Sequence, residues 1–226
     1  ENSLAGRVAD IHYLIPKYKL QIHSEHFQKV NHFLLAIKGS KLADIKTVRS
    51  HVQAIGQCQK IILSHNLKPI ISADTAGSAK FIAKQDNKTE AAIASALAAK
   101  IYNLEIIKPN IEDEAGNVTR FLIMGTESKH PEFKDKKYIT SCIFKLKSTP
   151  AALYKALGGF ATNGVNISKL ESFAVKNTFE QVNFYIDIEG HIEDQSIQKS
   201  LEELGFHTQK LDILGVYEAH KLRKNN

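Results

Sequence analysis

Three short stretches hold residue types that can act on an anionic small molecule. Asn117-Val118-Thr119-Arg120-Phe121 puts a hydroxyl, a fixed cation and an aromatic ring on consecutive residues, just after the turn that begins at Asp113. Side chains alternate across a strand, so Thr119 and Phe121 share one face and Arg120 takes the other. Thr119 and Phe121 are therefore the site candidates, and Arg120 is expected to be structural, in an ion pair. Upstream, Ser50 stands at the mouth of a predicted helix on which Gln53 and Gln57 share a face at i, i+4 spacing. A hydroxyl, a helix N-terminus and a primary amide can converge there on one oxyanion. The plainer reading is an N-cap with two surface glutamines. Asp74-Thr75-Ala76-Gly77 is a second helix start of this kind. Its small residues would let backbone N–H groups approach a carboxylate, although most such starts are simply caps.

Other chemistries lack their residues. Ten histidines invite a metal reading, but His23-Ser24-Glu25-His26 has no metalloprotease spacing, and on a strand His23 and His26 face opposite sides. There is no glycine-rich dinucleotide fingerprint, P-loop or Gly-x-Ser-x-Gly elbow. No cofactor and no metal are expected. Cys58 and Cys142 lie far apart without a Cys-x-x-Cys pair, and read as buried free thiols of a reducing, cytoplasmic compartment. The net charge of +6 is spread along the chain, and no basic-aromatic array suggests base stacking, so no nucleic-acid partner is expected. His220-Lys221-Leu222-Arg223-Lys224 is the densest basic run and reads as a solvated tail. No apolar run approaches the ~20 residues that cross a bilayer, and Glu1-Asn2-Ser3-Leu4 does not open a signal peptide. No membrane partner is expected.

The elements that must position these groups follow from periodicity. Leu4, Val8, Ile11, Leu14 and Ile15 suit a helix stopped before Pro16. Strands are predicted over 20–27, 30–37, 69–71, 104–111 and 118–124, with a short extended piece at 47–49. Helices are predicted over 51–63, from Asp74-Thr75 onward, and over the alanine-rich 93–101. This alternation argues for α/β layering across residues 1–125. The polar stretch 126–137, with Pro131, reads as a linker. Residues 138–220 then read strand, helix, strand, strand, helix, strand, a ferredoxin-like βαββαβ unit. The first unit is short of strands for a closed α/β lobe.

In order, these signals say more than they do singly. Glu1-Asn2-Ser3, then Ser50-His51-Val52-Gln53-Ala54-Ile55-Gly56-Gln57-Cys58, then Asp74-Thr75-Ala76, then Asn117-Val118-Thr119-Arg120-Phe121 and the βαββαβ tail resemble prephenate dehydratase. The resemblance covers essentially the whole chain. The tail is similar to that family's ACT regulatory domain.

The resemblance implies conversion of prephenate to phenylpyruvate, with loss of water and carbon dioxide, in L-phenylalanine biosynthesis. It implies an α/β catalytic domain of two lobes, like periplasmic binding proteins, over 1–125 and N-terminally incomplete, followed by the ACT domain over 138–220. By position, Thr119 would be the catalytic hydroxyl and Phe121 its packing neighbour. Asn2, Ser50 and Gln57 would bind substrate, with Thr75 and Ala76 in the cleft wall. L-phenylalanine would be the effector, held by Ala151, Ala152, Leu153, Asn163, Asn166, Glu171 and Ser172 in a homodimer or homotetramer. Two departures stand out. Family chains reach the Glu-Asn-Ser motif several tens of residues in, whereas here it begins at Glu1, so a truncated chain is expected. Many members have Gly-Ala-Leu and Glu-Ser-Arg-Pro where this chain has Ala151-Ala152-Leu153 and Glu171-Ser172-Phe173-Ala174, which puts the strength of regulation in question. The competing reading is a truncated, catalytically inactive amino-acid-binding protein. A dinucleotide-dependent dehydrogenase fails for want of its fingerprint.

Overall fold

The computed structural model describes residues 1–4, 6, 11–174 and 182–223. Val8 of the predicted first helix, Glu180 of a predicted strand and Lys224 of the basic run lie outside them. In chain order the first elements are α1 (Ile11–Lys17), β1 (Gln21–Lys29), β2 (Phe33–Ala36), β3 (Thr47–Ser50), α2 (Val52–Gly56) and α3 (Gln59–Ser64). There follow β4 (Lys68–Ile71), α4 (Thr75–Ala83), β5 (Glu90–Ala94), α5 (Ala96–Tyr102), β6 (Glu105–Lys108) and β7 (Val118–Gly125). The rest of the chain forms β8 (Tyr138–Leu146), α6 (Ala152–Thr162), β9 (Ile167–Ala174), β10 (Val182–Glu189), α7 (Gln195–His207) and β11 (Thr208–Glu218).

Two compact units result. One contains residues 1–6 and 28–119, the other 7–27 and 120–226. This departs from the linear division expected around 126–137: residues 7–27 and 120–125 cluster with the C-terminal unit. The cause is pairing and burial that the linear pattern does not display. β1 pairs with β7, and Ile22, Leu122 and Met124 join the same apolar cluster as Ile139, Ile143 and Tyr217.

The first unit is a five-stranded mixed sheet of order β4-β3-β5-β2-β6. β3 runs parallel to β4 and β5, while β2 is antiparallel to β5 and β6. Helices cover both faces. Ala54, Ile55, Ile61 and Ile62 of α2 and α3 pack with Leu34, Val48 and Ile93 on one side. Ala79, Ile82, Ala98 and Ala99 of α4 and α5 pack with Leu35, Ala92 and Ala94 on the other. A strand buried on both faces reads as a continuous apolar run, and this corrects the sequence reading of 93–101 as one helix. Ile93 is fully buried in β5, a burial worth about 1.5–3 kcal/mol. α5 starts only after Ser95, whose side chain accepts from Ala98 N.

The second unit carries a four-stranded antiparallel sheet of order β11-β8-β10-β9. With α6 and α7 it has the βαββαβ order and the 4-1-3-2 strand arrangement of a ferredoxin-like split sheet. Cys142, Phe144, Ile186 and Ile188 pack against Ala156, Phe160, Ile197 and Leu204 of the two helices. The opposite face, bearing Ile139, Ile143, Tyr185 and Tyr217, packs with Ile15 and Ile22. α1 extends through Pro16 to Lys17, two residues beyond the predicted stop.

Candidate active site

The first unit gathers a chain of amides at the start of β7. Asn2 forms an antiparallel bridge with Thr119, and Ser3 N donates to Val118 O at 2.9 Å while Val118 N donates to Ser3 Oγ at 3.0 Å. The N-terminal turn is thereby laid along the strand. Asn2 Oδ1 accepts from Leu4 N at 3.0 Å, which orients the amide. Its Nδ2 then donates to Asn117 Oδ1 at 2.6 Å and to Thr119 Oγ1 at 3.1 Å. Asn117, buried, passes the direction on: its Nδ2 donates to Gln57 Oε1 at 2.8 Å. His32 Nε2 reaches the same oxygen at 2.8 Å.

Direction matters more than distance here. Each of the three amide oxygens already accepts a hydrogen bond, and Gln57 Oε1 accepts two, so the Gln57 carboxamide has donor capacity to offer. Thr119 Oγ1 accepts from Asn2, which leaves its own proton to be given outward. Among the described residues nothing accepts from Gln57 Nε2. A hydroxyl and a carboxamide thus offer protons to a ligand, an arrangement suited to an anion or a departing oxygen.

The structure joins three of the sequence candidates, Asn2, Gln57 and Thr119, and adds two that sequence reading missed as site residues, Asn117 and His32. The remaining candidates sit apart from this hydrogen-bond chain. Ser50 is corrected: it is not an N-cap but the last residue of β3, fully buried, with Oγ donating to Ile93 O at 2.7 Å. His51 caps α2 instead, accepting from Gln53 N. Thr75 opens α4 and is half-buried, and Ala76 is exposed. The cradle expected at that helix start is filled from within, since Asp74 Oδ1 accepts from Gly77 N at 2.5 Å. A Cβ at Gly77 would lie 2.6 Å from the Asp74 carboxylate, so a larger residue there would have to displace that cap. Phe121 is exposed on β7 and clusters with the second unit.

Arg120 has the structural place that alternation assigned to it. Within the second unit its Nε meets Glu25 at 2.7 Å, its Nη1 Asp187 at 2.8 Å and its Nη2 the Tyr217 hydroxyl at 2.7 Å. Cys58 and Cys142 are both buried; burial foremost, with Asp113 and Glu112, pushes the Cys58 thiol up to about 12. Neither is a nucleophile at neutral pH. Among the described residues no group of three or more histidine, cysteine, aspartate or glutamate side chains is arranged to hold a metal ion. No helix of the described residues is long and apolar enough to cross a membrane.

The expected effector residues surround α6 and β9. Asn163 Nδ2 donates to Gly159 O at 2.7 Å and to Glu203 Oε1 at 2.9 Å, tying the end of α6 to α7. Glu171 is engaged by His12 Nε2 at 2.7 Å and Lys169 Nζ at 3.3 Å. Burial alone would raise its carboxyl, but the His12 hydrogen bond and the Lys169 charge hold it below the ordinary value. Leu153 packs on the core, while Ala152 is half-buried and Asn166 and Ser172 are exposed. Ala151 precedes α6 at φ 57° and ψ 29°, where a Cβ costs about 1–2 kcal/mol. Ala151→Gly is expected to stabilise the protein by about 0.5–1 kcal/mol, the relief of that strain less the added chain entropy. Thermal unfolding checks this, and a lowered midpoint would contradict it.

Comparison with known proteins shows the family of the chain. The family model described as prephenate dehydratase matches residues 1–129. A bifunctional N-acyl-homoserine lactone acylase/prephenate dehydratase of Komagataeibacter europaeus is 43% identical over 99% of this chain and 80% of its own length. The prephenate dehydratase of Methanocaldococcus jannaschii is 36% identical over 96% of this chain and 78% of its own. Arogenate dehydratase 2 of Petunia hybrida is also 36% identical, but this chain spans only 59% of it. Among solved structures, a quorum-quenching acylase has a TM-score of 0.89 at 43% identity, covering 100% of this chain and 82% of that one. The prephenate dehydratase of Arthrobacter aurescens in complex with L-Phe has a TM-score of 0.80 at 30% identity, covering 88% of this chain and 66% of that one.

Proposed function

The chain belongs to the prephenate dehydratase family, and we propose that it converts prephenate to phenylpyruvate at the Thr119 cluster. Prephenate carries two carboxylates and a ring hydroxyl that leaves poorly unless it receives a proton. As the ring carboxylate departs as carbon dioxide, its bonding electrons enter the ring and expel the hydroxyl. Aromatisation drives the step, so the protein must supply a proton donor for the leaving oxygen and polar clamps for the anions. The departing hydroxyl takes one proton and leaves as water, and solvent restores the donor.

The observation that carries this reading is the hydrogen bond into Thr119 from Asn2. It leaves the threonine proton directed to the substrate. A threonine hydroxyl is a weak acid, so its contribution rests on its placement against the leaving oxygen. Gln57 is the carboxylate donor, Asn2 orients Thr119, and Thr75 and Ala76 complete the set by resemblance to the family. The site calls on no metal or redox group. The test is phenylpyruvate formation by the purified chain, with arogenate assayed beside prephenate because arogenate dehydratases are among its relatives. A rate no greater than that of prephenate alone would remove the reading.

The second unit is, in this proposal, an ACT domain that binds L-phenylalanine in a cytoplasmic homodimer or homotetramer. Its ferredoxin-like order and the Arthrobacter aurescens complex with L-Phe support that assignment. Titration with phenylalanine is expected to raise the melting temperature of the protein or change its oligomer size. Neither changing at saturating phenylalanine would argue against an effector site. The 43% identity to the bifunctional enzyme favours a second reading, hydrolysis of N-acyl-homoserine lactones. The geometry supports it less. Acyl transfer to a threonine needs a base that takes its hydroxyl proton, whereas Thr119 is met by an amide donor and His32 reaches Gln57 instead.

A further inference from the structure

We infer that His32 is a positioning residue: it holds the Gln57 carboxamide with its oxygen inward, so that the NH2 group is presented to the substrate. The inference rests on the prephenate reading of the same site and names the group that sets one of its two donors. His32 immediately precedes β2 and is almost wholly buried. Its backbone is clamped on both sides, with N donating to Glu112 Oε2 at 2.9 Å and its carbonyl accepting from Ile111 N at 2.9 Å. The ring therefore has a fixed origin from which to reach Gln57.

A carboxamide can turn over at almost no internal cost, so its direction must be imposed by neighbours. Asn117 supplies one constraint. Because Asn117 Oδ1 already accepts from Asn2, its Nδ2 faces Gln57 as a donor. His32 supplies the other. For Nε2 to hydrogen-bond an amide oxygen it must carry a proton, and it does so both in the neutral Nε2–H tautomer and in the imidazolium. Turning Gln57 over would set its NH2 against two N–H donors at once. One of these, Asn117, cannot change sign, and the other is His32. With both in place, each lone-pair direction of Oε1 is filled and Nε2 points away from the buried pair.

The consequence is a specific kinetic signature. A group that clamps a carboxylate in ground state and transition state alike changes KM more than kcat. Removing one of two neutral hydrogen bonds that orient it is expected to raise KM about three- to tenfold. The experiment is a double-mutant cycle in prephenate turnover: His32→Leu, Gln57→Ala and the pair, with His32→Gln as the rescuing variant that restores an N–H donor. The expected result is a raised KM in His32→Leu, recovery in His32→Gln, and no further effect of His32→Leu in the Gln57→Ala background. Equal effects in both backgrounds would overturn the inference, since a residue that only supports the fold acts regardless of Gln57. Nitrogen NMR of the unliganded protein is the second arm. Neutral His32 is expected protonated at Nε2, and the Gln57 side-chain amide resonances should shift in His32→Leu and return in His32→Gln. An Nδ1–H tautomer, or unmoved Gln57 resonances, would also overturn it. Were the wild-type chain to leave prephenate untouched, the catalytic reading would fall while the NMR arm still decided the role of His32. Should His32→Leu not fold, the tautomer and His32→Gln decide it.

Discussion

Thr119→Ala is expected to lower prephenate turnover by about two to four orders of magnitude, the range for a positioned general acid, while leaving the unfolding transition where it was. The asymmetry follows from what the side chain touches. Its hydroxyl accepts one bond from Asn2 and is otherwise half-exposed on β7. Removing it leaves no buried group stranded, because Asn2 Nδ2 retains Asn117 Oδ1 at 2.6 Å and Val118 O at 3.3 Å. The lost function is the proton: Gln57 and Asn2 offer only amide N–H, a weaker acid still, and the His32 Nε2–H is committed to Gln57 Oε1. Thr119→Ser retains the hydroxyl at the same atom and is expected to keep most of the activity. Steady-state kinetics of the two variants, with thermal unfolding of each, separates the chemical role from a structural one. Near-normal turnover in Thr119→Ala would end the assignment. A collapse of Thr119→Ser to the alanine level would mean that the methyl group, not the proton, matters.

How far the sequence discloses this arrangement depends on how local each signal is. Strand alternation alone separates Arg120 from Thr119 and Phe121, and Arg120 does lie among Glu25, Asp187 and Tyr217. The element order over 138–220 is equally plain, because each segment carries its own period and α7 has a capping residue, Asp194, before it. Ile93 fails for a physical reason: a strand covered on both faces has no period of two, and beside an alanine-rich helix it merges into one apolar run. Ser95, a capping residue in the middle of that run, was the available sign of a break. His32 is a different case. Its partner lies 25 residues away, and a lone histidine beside a strand has no local mark that separates a ring aimed at an amide from one filling space. The clustering of 7–27 with 120–226 likewise depends on β1 meeting β7 across nearly the length of the first unit. Ser50 shows that a right motif can have a wrong local structure, since the cap lies one residue later at His51.

Asp187→Asn is expected to destabilise the second unit by about 3–5 kcal/mol, the cost of removing one member of a buried ion pair. Two fully buried carboxylates meet there with the buried Arg120 guanidinium and the partly exposed Arg223. Arg120 joins Glu25 and Asp187, and Arg223 joins Glu25 at 2.7 Å and Asp187 at 3.1 Å. The Ser141 hydroxyl donates to Asp187 Oδ1 at 2.5 Å, and β8 holds Ser141 opposite Asp187 in the sheet register. The cluster balances in charge, so the loss of either carboxylate leaves an uncompensated buried cation. Burial alone would raise the Asp187 carboxyl, but Arg120 foremost, then the Ser141 hydroxyl, hold it below the ordinary value. A carboxyl depressed in the folded state contributes stability that is present above its unfolded pKa of about 3.9 and is lost as pH falls through the folded value. The wild type should therefore hold this contribution across neutral pH and lose it only in acid, and Asp187→Asn should flatten that acid limb. Balanced removal separates charge from packing: Arg120→Met with Asp187→Leu leaves Glu25 paired with Arg223 and should cost less than Asp187→Asn alone. Urea unfolding of the three proteins from neutral to acid pH measures all of this. If the double replacement cost the sum of its parts, the cluster would be a set of independent contacts. If it costs less, the four groups act as one neutral unit in which Arg120 and Arg223 together neutralise Glu25 and Asp187.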